Sequence, residues 1–287
     1  MIKLPTARRA SFRKVLAEAI ADFQRHGFDS QVRLDRWMAA LRKALGFSLP
    51  PLGGVEAALR MRLTSTFKRS VEQGALLKKH PGVSRFTLDR LSPVMRQELD
   101  RRIMASAALI KLNRDEVIEK TLRRFSGWST SIPAGGSKVV EKGETKDKLE
   151  KALASSSFEE RRVLTDQGHK LNAALSGILA THSGAIAAKW HSHFRQAGYD
   201  YRPDHKDRDY DETGNVYLIR GSWAHQKGFV KPSKAGFFDE ITQPGEEVFC
   251  RCTASYITAL RGLPPEMLTA KGKAELNRVR AMIKGAA

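Results

Sequence analysis

The stretch Leu171-Asn-Ala-Ala-Leu175-Ser-Gly-Ile-Leu-Ala180-Thr-His-Ser-Gly184-Ala-Ile-Ala-Ala188-Lys-Trp190-His-Ser-His-Phe194 changes its period partway along. Leu171, Leu175, Ile178 and Leu179 recur at helical spacing, and Gly184 is suited to close that helix. From Ala188 to Phe194 the residues read as a short strand instead, and further strand-like pieces follow at Val216 to Ile219 and Glu247 to Ile257. Upstream of this switch the chain reads as helix. Downstream it is mixed, with a closing amphipathic helix from Pro265 to Ile283. Helices gathered first and a small mixed module after them predict an α+β fold.

The helical part is legible in detail. Phe12, Val15, Leu16, Ala19, Ile20 and Phe23 form one apolar stripe that Gly27 is placed to end. A second stripe through Leu34, Trp37, Met38, Leu41 and Leu45 opens at Asp29 or Ser30 and ends at Gly46. Ser48 to Gly54, with paired prolines and paired glycines, reads as a connector, and a third helix carries Leu59, Leu63, Phe67 and Val71 to Gly74. Ser92-Pro93 predicts the start of a long helix to about Arg124, because proline favours the first helical turn. Residues 129–156 have linker composition, and Ser157 with Glu160 makes a capping box for the next helix. The expected division is a basic helical domain over 1–128, a linker or extended arm over 129–156, and a carboxy-terminal module over 157–287.

The chain has 287 residues, an apolar fraction of 41% and a net charge of +19. Such a length and composition support folded domains rather than disorder. Residues 1–128 hold 26 Lys+Arg against 12 Asp+Glu, so the helical part is expected to meet double-stranded DNA or an acidic protein surface. Neither a membrane-spanning run nor a signal-peptide core is visible, which predicts no membrane partner and action in the cytosol where the chain is made. The chain also lacks the phosphate-cradling, dinucleotide-binding, serine-hydrolase and His-Glu-x-x-His motifs of common enzyme classes.

Chemically capable residues cluster late. Both cysteines sit in Cys250-Arg251-Cys252, and Arg202-Pro-Asp-His205 lies upstream. In a strand, Cys250 and Cys252 would share one face with Arg251 on the other. Two thiolates and His205 can then chelate zinc, with a fourth ligand from Asp204, Asp209, His225 or water. Equally, the two are reduced thiols packing a small domain, since adjacent positions of this kind disfavour a disulfide. The run Asp204, Asp207, Asp209, Asp211 and Glu212 lacks the spacing of a calcium loop and reads as a solvated or salt-bridged turn. His191 and His193 read as surface or packing residues. Asp204-His205 supplies the one nuclease-like possibility, a general base beside a metal.

Taken in order, Gly184, Lys189-Trp190, Arg202 and His205, Asp209, and Pro244-Gly-Glu-Glu-Val-Phe-Cys250-Arg251-Cys252 resemble the carboxy-terminal domain of the Mu F-like family of tailed-phage minor head (head morphogenesis) proteins. The resemblance covers about residues 157–257. It departs from the family pattern at Asp209-Tyr210, where an Asp-Gly turn is usual, and at Arg-Val-Leu-Thr-Asp166-Gln, where Arg-Thr-Glu is usual. The resemblance implies a low-copy virion component at the portal region of the head that binds portal or capsid proteins. It further implies a role in head assembly that extends to packaged DNA and its ejection. The alternatives are a metal-dependent nuclease and a plain DNA-binding protein.

Overall fold

A computed structural model of the chain describes residues 6–136, 142–198 and 201–285. In chain order the helices are α1 (Thr6–His26), α2 (Gln31–Ser48), α3 (Leu52–Phe67), α4 (Arg85–Thr130) and α5 (Lys142–His182). The carboxy-terminal part adds β1 (Ala187–His191), α6 (Pro203–Asp207), α7 (Tyr210–Thr213), β2 (Tyr217–Leu218), α8 (Trp223–Gln226), β3 (Thr253–Ile257) and α9 (Ala270–Gly285). The fold is α+β, with a helical amino-terminal part and a three-stranded antiparallel sheet in the order β2-β1-β3. No helix among the described residues is long and apolar enough to cross a membrane.

The chain forms two compact units that are discontinuous in sequence: residues 1–61 with 103–164, and residues 62–102 with 165–287. The division therefore falls inside α3, α4 and α5 and not at residue 128. A long helix can serve two cores in succession, which a linear reading of composition does not register. The charge follows the units. The first unit holds 23 Lys+Arg against 14 Asp+Glu and the second 27 against 17, so they carry +9 and +10.

In the first unit the stripe of α1 is buried as expected: Phe12, Leu16, Ala19, Ile20 and Phe23 pack with Leu34, Leu41 and Leu45 of α2 and with Leu122 and Phe125 of α4. Ser30 caps α2 by accepting the Arg33 N–H at 3.3 Å. Helix α2 runs through Gly46 to Ser48, and α3 begins at Leu52, so Gly53 and Gly54 are helical and the expected connector is shorter. After Phe67 the helix widens into a π-type turn over Lys68–Glu72 before Gly74, in left-handed conformation, ends it.

Two breaker signals mislead. Helix α4 starts at Arg85, capped by Ser84, whose hydroxyl accepts the Thr87 N–H at 3.2 Å, and Pro93 lies inside it. The buried stripe Leu88, Leu91, Met95 and Leu99 runs straight past the proline. Pro93 itself is exposed, so water can meet the carbonyl that it leaves without an N–H. The second signal is the linker composition of 129–156. Ile132 is buried, and its carbonyl accepts the Phe28 N–H at 3.0 Å. Gly135 donates to His26 O at 2.9 Å, and a Cβ on Gly136 would fall 2.3 Å from Gln24 O. Gly136 permits this close approach to the end of α1 and Gly135 supplies the positive φ of the turn, so neither is there for looseness. Helix α5 has begun by Lys142, so the backbone at Ser157 and Glu160 is helix interior; their side chains, and with them the expected capping box, lie outside the described residues.

Gly27 has φ +69°, and a Cβ there would lie 1.8 Å from Pro133 O. Gly27→Ala is therefore expected to cost at least about 2 kcal/mol of stability in urea unfolding. Gly168, inside α5 with nothing within 4 Å of its would-be Cβ, gives the opposite sign. Gly168→Ala should gain about 0.5–1 kcal/mol, because it removes backbone freedom only from the unfolded chain.

Candidate functional site

The carboxy-terminal motif residues are brought together around one imidazole. Arg202 precedes α6 and His205 lies within it, so the i, i+3 spacing puts both on one side of a single turn. His205 is 2% exposed. Its Nδ1 lies 3.3 Å from Cys252 Sγ and 3.8 Å from Cys250 Sγ. Both cysteines are buried and free. They precede β3 and do not lie in it, since β3 starts at Thr253. The extended backbone entering the strand still places both sulfurs toward His205, while Arg251 is exposed and reaches Gln196 Oε1 at 3.5 Å.

The other imidazole nitrogen faces a carboxylate. His205 Nε2 stands 3.4 Å from Glu247 Oε1, an ion-pair distance without hydrogen-bond geometry. Glu247 in turn pairs with Arg202 Nε at 2.6 Å through Oε2 and accepts the Thr242 hydroxyl at 3.1 Å through Oε1. Arg208 donates to Thr242 Oγ1 at 2.7 Å, and Arg202 donates also to Val248 O at 3.0 Å. Burial would raise the Glu247 carboxyl, but the facing His205 imidazole, the Thr242 hydroxyl and the charge of Arg202 outweigh it and hold it below the usual value. Glu247 was invisible in the sequence reading. Its only signal was a carboxylate three residues before a cysteine, in a loop with two adjacent glutamates.

The thiols differ from each other. Cys250 is drawn down to about 6, first by the hydrogen bond from Cys252, with the Gly245 N–H at 3.3 Å and the nearby His205 adding to it against the effect of burial. Cys252 is pushed up, because donating to Cys250 favours its protonated form and burial does the same. One of the two thiols thus ionises readily while the other holds its proton. The loop that positions them is fixed from α5. Asp166, 4% exposed, accepts the Phe249 N–H at 2.7 Å and holds that non-glycine residue at φ +60°. Gly245, at φ +82°, packs so tightly that a Cβ would sit 3.0 Å from Ala173 Cβ.

Trp190, on β1, is fully buried beside this cluster, edge-on to His205 at 5.3 Å with the Arg208 guanidinium 5.4 Å from its ring centroid. Lys189 points elsewhere and stacks on Tyr210 at 3.8 Å. Asp209 departs from the expected solvated turn. It is 2% exposed, accepts the Ser192 N–H at 2.5 Å and the Asp211 N–H at 3.0 Å, and caps α7. Two backbone donors satisfy a buried carboxylate that water would otherwise have to solvate. Three of the other four acidic residues are salt-bridged as expected: Asp204 pairs with Arg208 at 2.7 Å, Asp211 approaches His191 at 3.9 Å, and Glu212 pairs with Arg195. His191 also hydrogen-bonds Ser255 Oγ at 2.8 Å.

The donor set Cys250, Cys252 and His205 fits zinc by chemistry and by spacing. Tetrahedral zinc with ordinary Zn–S and Zn–N bonds separates sulfur from nitrogen by about 3.5 Å, and the two observed separations bracket that value. None of the three side chains expected as a fourth ligand joins the set. Asp209 is committed to backbone amides, and the His225 Nδ1 accepts the Gly221 N–H at 3.2 Å. Asp204 groups instead with Glu247 on the Nε2 side of His205. That second group suits a catalytic divalent cation poorly, because Arg208 and Arg202 already neutralise its two carboxylates.

Compared with known proteins, the chain matches no protein-family model, no curated protein and no solved structure.

The Glu247 ion pair makes stability depend on acidity. Its folded value lies below the unfolded one of about 4.3. Its contribution is therefore complete above that pH and is lost as pH falls through the folded value. Glu247→Gln should cost about 1 kcal/mol at pH 7, a modest figure because the side chain is partly exposed and screened. The variant should also show a flatter decline than the parent between about pH 4.3 and 3 in urea unfolding. An unchanged acid limb would remove Glu247 from the network.

Proposed function

We propose that this chain is a minor head morphogenesis protein of a tailed phage, present in low copy at the portal region and binding portal or capsid proteins. The observation that supports this reading most is the convergence of the motif. Trp190, the Arg202–His205 pair and the Cys250–Cys252 pair come from separate stretches of sequence, yet Trp190 and both cysteines are buried around the His205 imidazole, and Arg202 reaches it through the partly exposed Glu247. Burial of its central members suits a structural cluster more than a site open to substrate. The net charge of +19, shared by both units, suits contact with packaged DNA or with an acidic partner during assembly and ejection.

Zinc belongs to this reading. Cys250, Cys252 and His205 would hold it and Glu247 would orient the imidazole from behind, as a carboxylate commonly does for a metal-bound histidine. Bound there, the metal would act as a cross-link between α6 and the entry to β3. The N–H of Gly245 already aims at Cys250 Sγ, a contact that stabilises a metal-bound thiolate. The second reading, two packed thiols without metal, is favoured by their burial in one apolar cluster with Ala188, Trp190, Tyr217 and Phe238.

Elemental analysis of the purified full chain is expected to find about one zinc per chain. Cys250→Ser combined with Cys252→Ser should abolish zinc binding and cost more than the about 1–3 kcal/mol typical of losing buried thiols alone. Zinc-free protein with that smaller loss selects the packed-thiol reading. The head assignment is tested separately by mass spectrometry of purified particles, where the chain should be found at a few copies per particle. DNA cleavage with magnesium, manganese or zinc that is lost in His205→Ala with the fold intact would replace it with the nuclease.

A further inference from the structure

The strand β3 has a second edge that no other strand covers among the described residues. In the sheet order β2-β1-β3 it lies outermost, paired to β1 from Thr253↔His191 to Ile257↔Ala187. Its outer side borders a cleft of about 1220 Å³ within the second unit. The lining identifies which side of the strand is presented. Four consecutive residues of β3, Thr253 through Tyr256, border the cleft, with Arg251 and Cys252 before them and His191 of β1, whose imidazole reaches across to Ser255 Oγ, beside them. Side chains of a strand alternate between faces, so an unbroken run along an outermost strand borders one space at the strand's edge, where the two faces meet. That edge carries backbone N–H and C=O groups in the spacing of a partner strand.

The opposite wall is α5 between His169 and His182, with Lys79, Arg101 and Arg102 completing it. Five strand residues span about 17 Å and the fourteen residues of that helical wall about 21 Å, so the walls run to similar lengths. The floor is firm. His80 stacks on Tyr256 at 5.9 Å and bonds Ser176 Oγ at 3.0 Å, tying the loop before α4 to both walls.

The charge of the lining is one-sided. Lys79, Arg101, Arg102, Lys170 and Arg251 face a single lining carboxylate, Glu246, and that carboxylate accepts the Gln243 N–H of its own loop at 2.6 Å. Behind the wall, Glu98 pairs with both Arg101 and Arg102, and Asp166 with Lys170. Among the described residues, these five cations against the three carboxylates give the wall a count of +2 with the histidines neutral.

We propose that this cleft docks an extended, acidic peptide segment of a partner protein, which adds to the free edge of β3 as a further strand. The edge supplies main-chain hydrogen bonds, the helix wall encloses the peptide, and the basic rim selects acidic side chains. A peptide fits the lining better than a nucleic acid strand does. The one aromatic side chain other than histidine that lines the cleft, Tyr256, is already covered by His80 and packed edge-on against Phe238, so no stacking platform for bases is offered. This proposal stands independently of the head-protein reading.

The test uses the full chain and a labelled eight-residue peptide alternating Glu with Val, read by fluorescence anisotropy. Two further versions carry N-methyl groups at alternate residues, one along each edge, with the charge unchanged. One version should lose about tenfold in affinity or more, the worth of two or three hydrogen bonds, while the other keeps binding. Arg101→Glu, at a largely exposed position, should weaken the parent peptide about threefold. Amide exchange should slow at Thr253–Ile257 when the peptide is bound. If both methylated versions bind within about twofold of the parent, charge alone holds the peptide and strand addition is overturned. The proposal is equally overturned if the peptide does not bind, or if an eight-residue oligothymidylate binds and displaces it without protecting β3.

Discussion

Burial of the His205 imidazole sets the terms for the carboxy-terminal part. A buried polar ring is costly unless both nitrogens find partners, and here the ring meets two thiols on one side and a carboxylate on the other. The carboxylate brings its own demand, met by Arg202 and Thr242, and Arg208 in turn bonds Thr242 while covering Trp190. Each member answers the electrostatic requirement of the one before it. The elements follow from this: α6 presents Arg202 and His205 on one turn, β1 places Trp190 against the ring, and the 243–252 loop delivers Glu247 and both cysteines.

That loop is the most constrained part of the cluster. Gly245 packs where no Cβ fits without displacing Ala173, and Phe249 holds a left-handed backbone that Asp166 secures. A left-handed non-glycine residue stores strain of roughly 1–2 kcal/mol, tolerable because the loop is pinned from α5 as well as from the imidazole. Here a carboxylate on that helix has a definite task, positioning the cysteine loop.

Electrostatics divides differently in space than along the chain. The basic residues that crowd the first 128 positions are shared between two compact units, since 62–102 folds with the carboxy-terminal residues and brings Lys79, Arg101 and Arg102 to the cleft beside β3. A positive surface is therefore built into the same unit as the sheet. The ion pairs around it, Glu98 with two arginines and Asp166 with Lys170, orient those cations and offset part of their charge.

The sequence alone determined what local periodicity encodes. Stripes such as Phe12 to Phe23 mark buried helix faces because one face must leave water, and Ser30 marks a helix start because its hydroxyl serves an otherwise unpaired amide. The switch of period at Gly184 gave the α+β class, and the few cysteines with Arg202-x-x-His205 indicated where the cluster lies. Tertiary structure decided the rest. Pro93 stays within a helix because the buried stripe beside it continues, and Gly135-Gly136 closes a contact that composition reads as a linker. Asp209 is buried because two backbone amides happen to face it. Glu247, the division into units and the open edge of β3 depend on residues meeting across forty or more positions. No local pattern records such meetings, since the energy that selects them arises only when the elements pack.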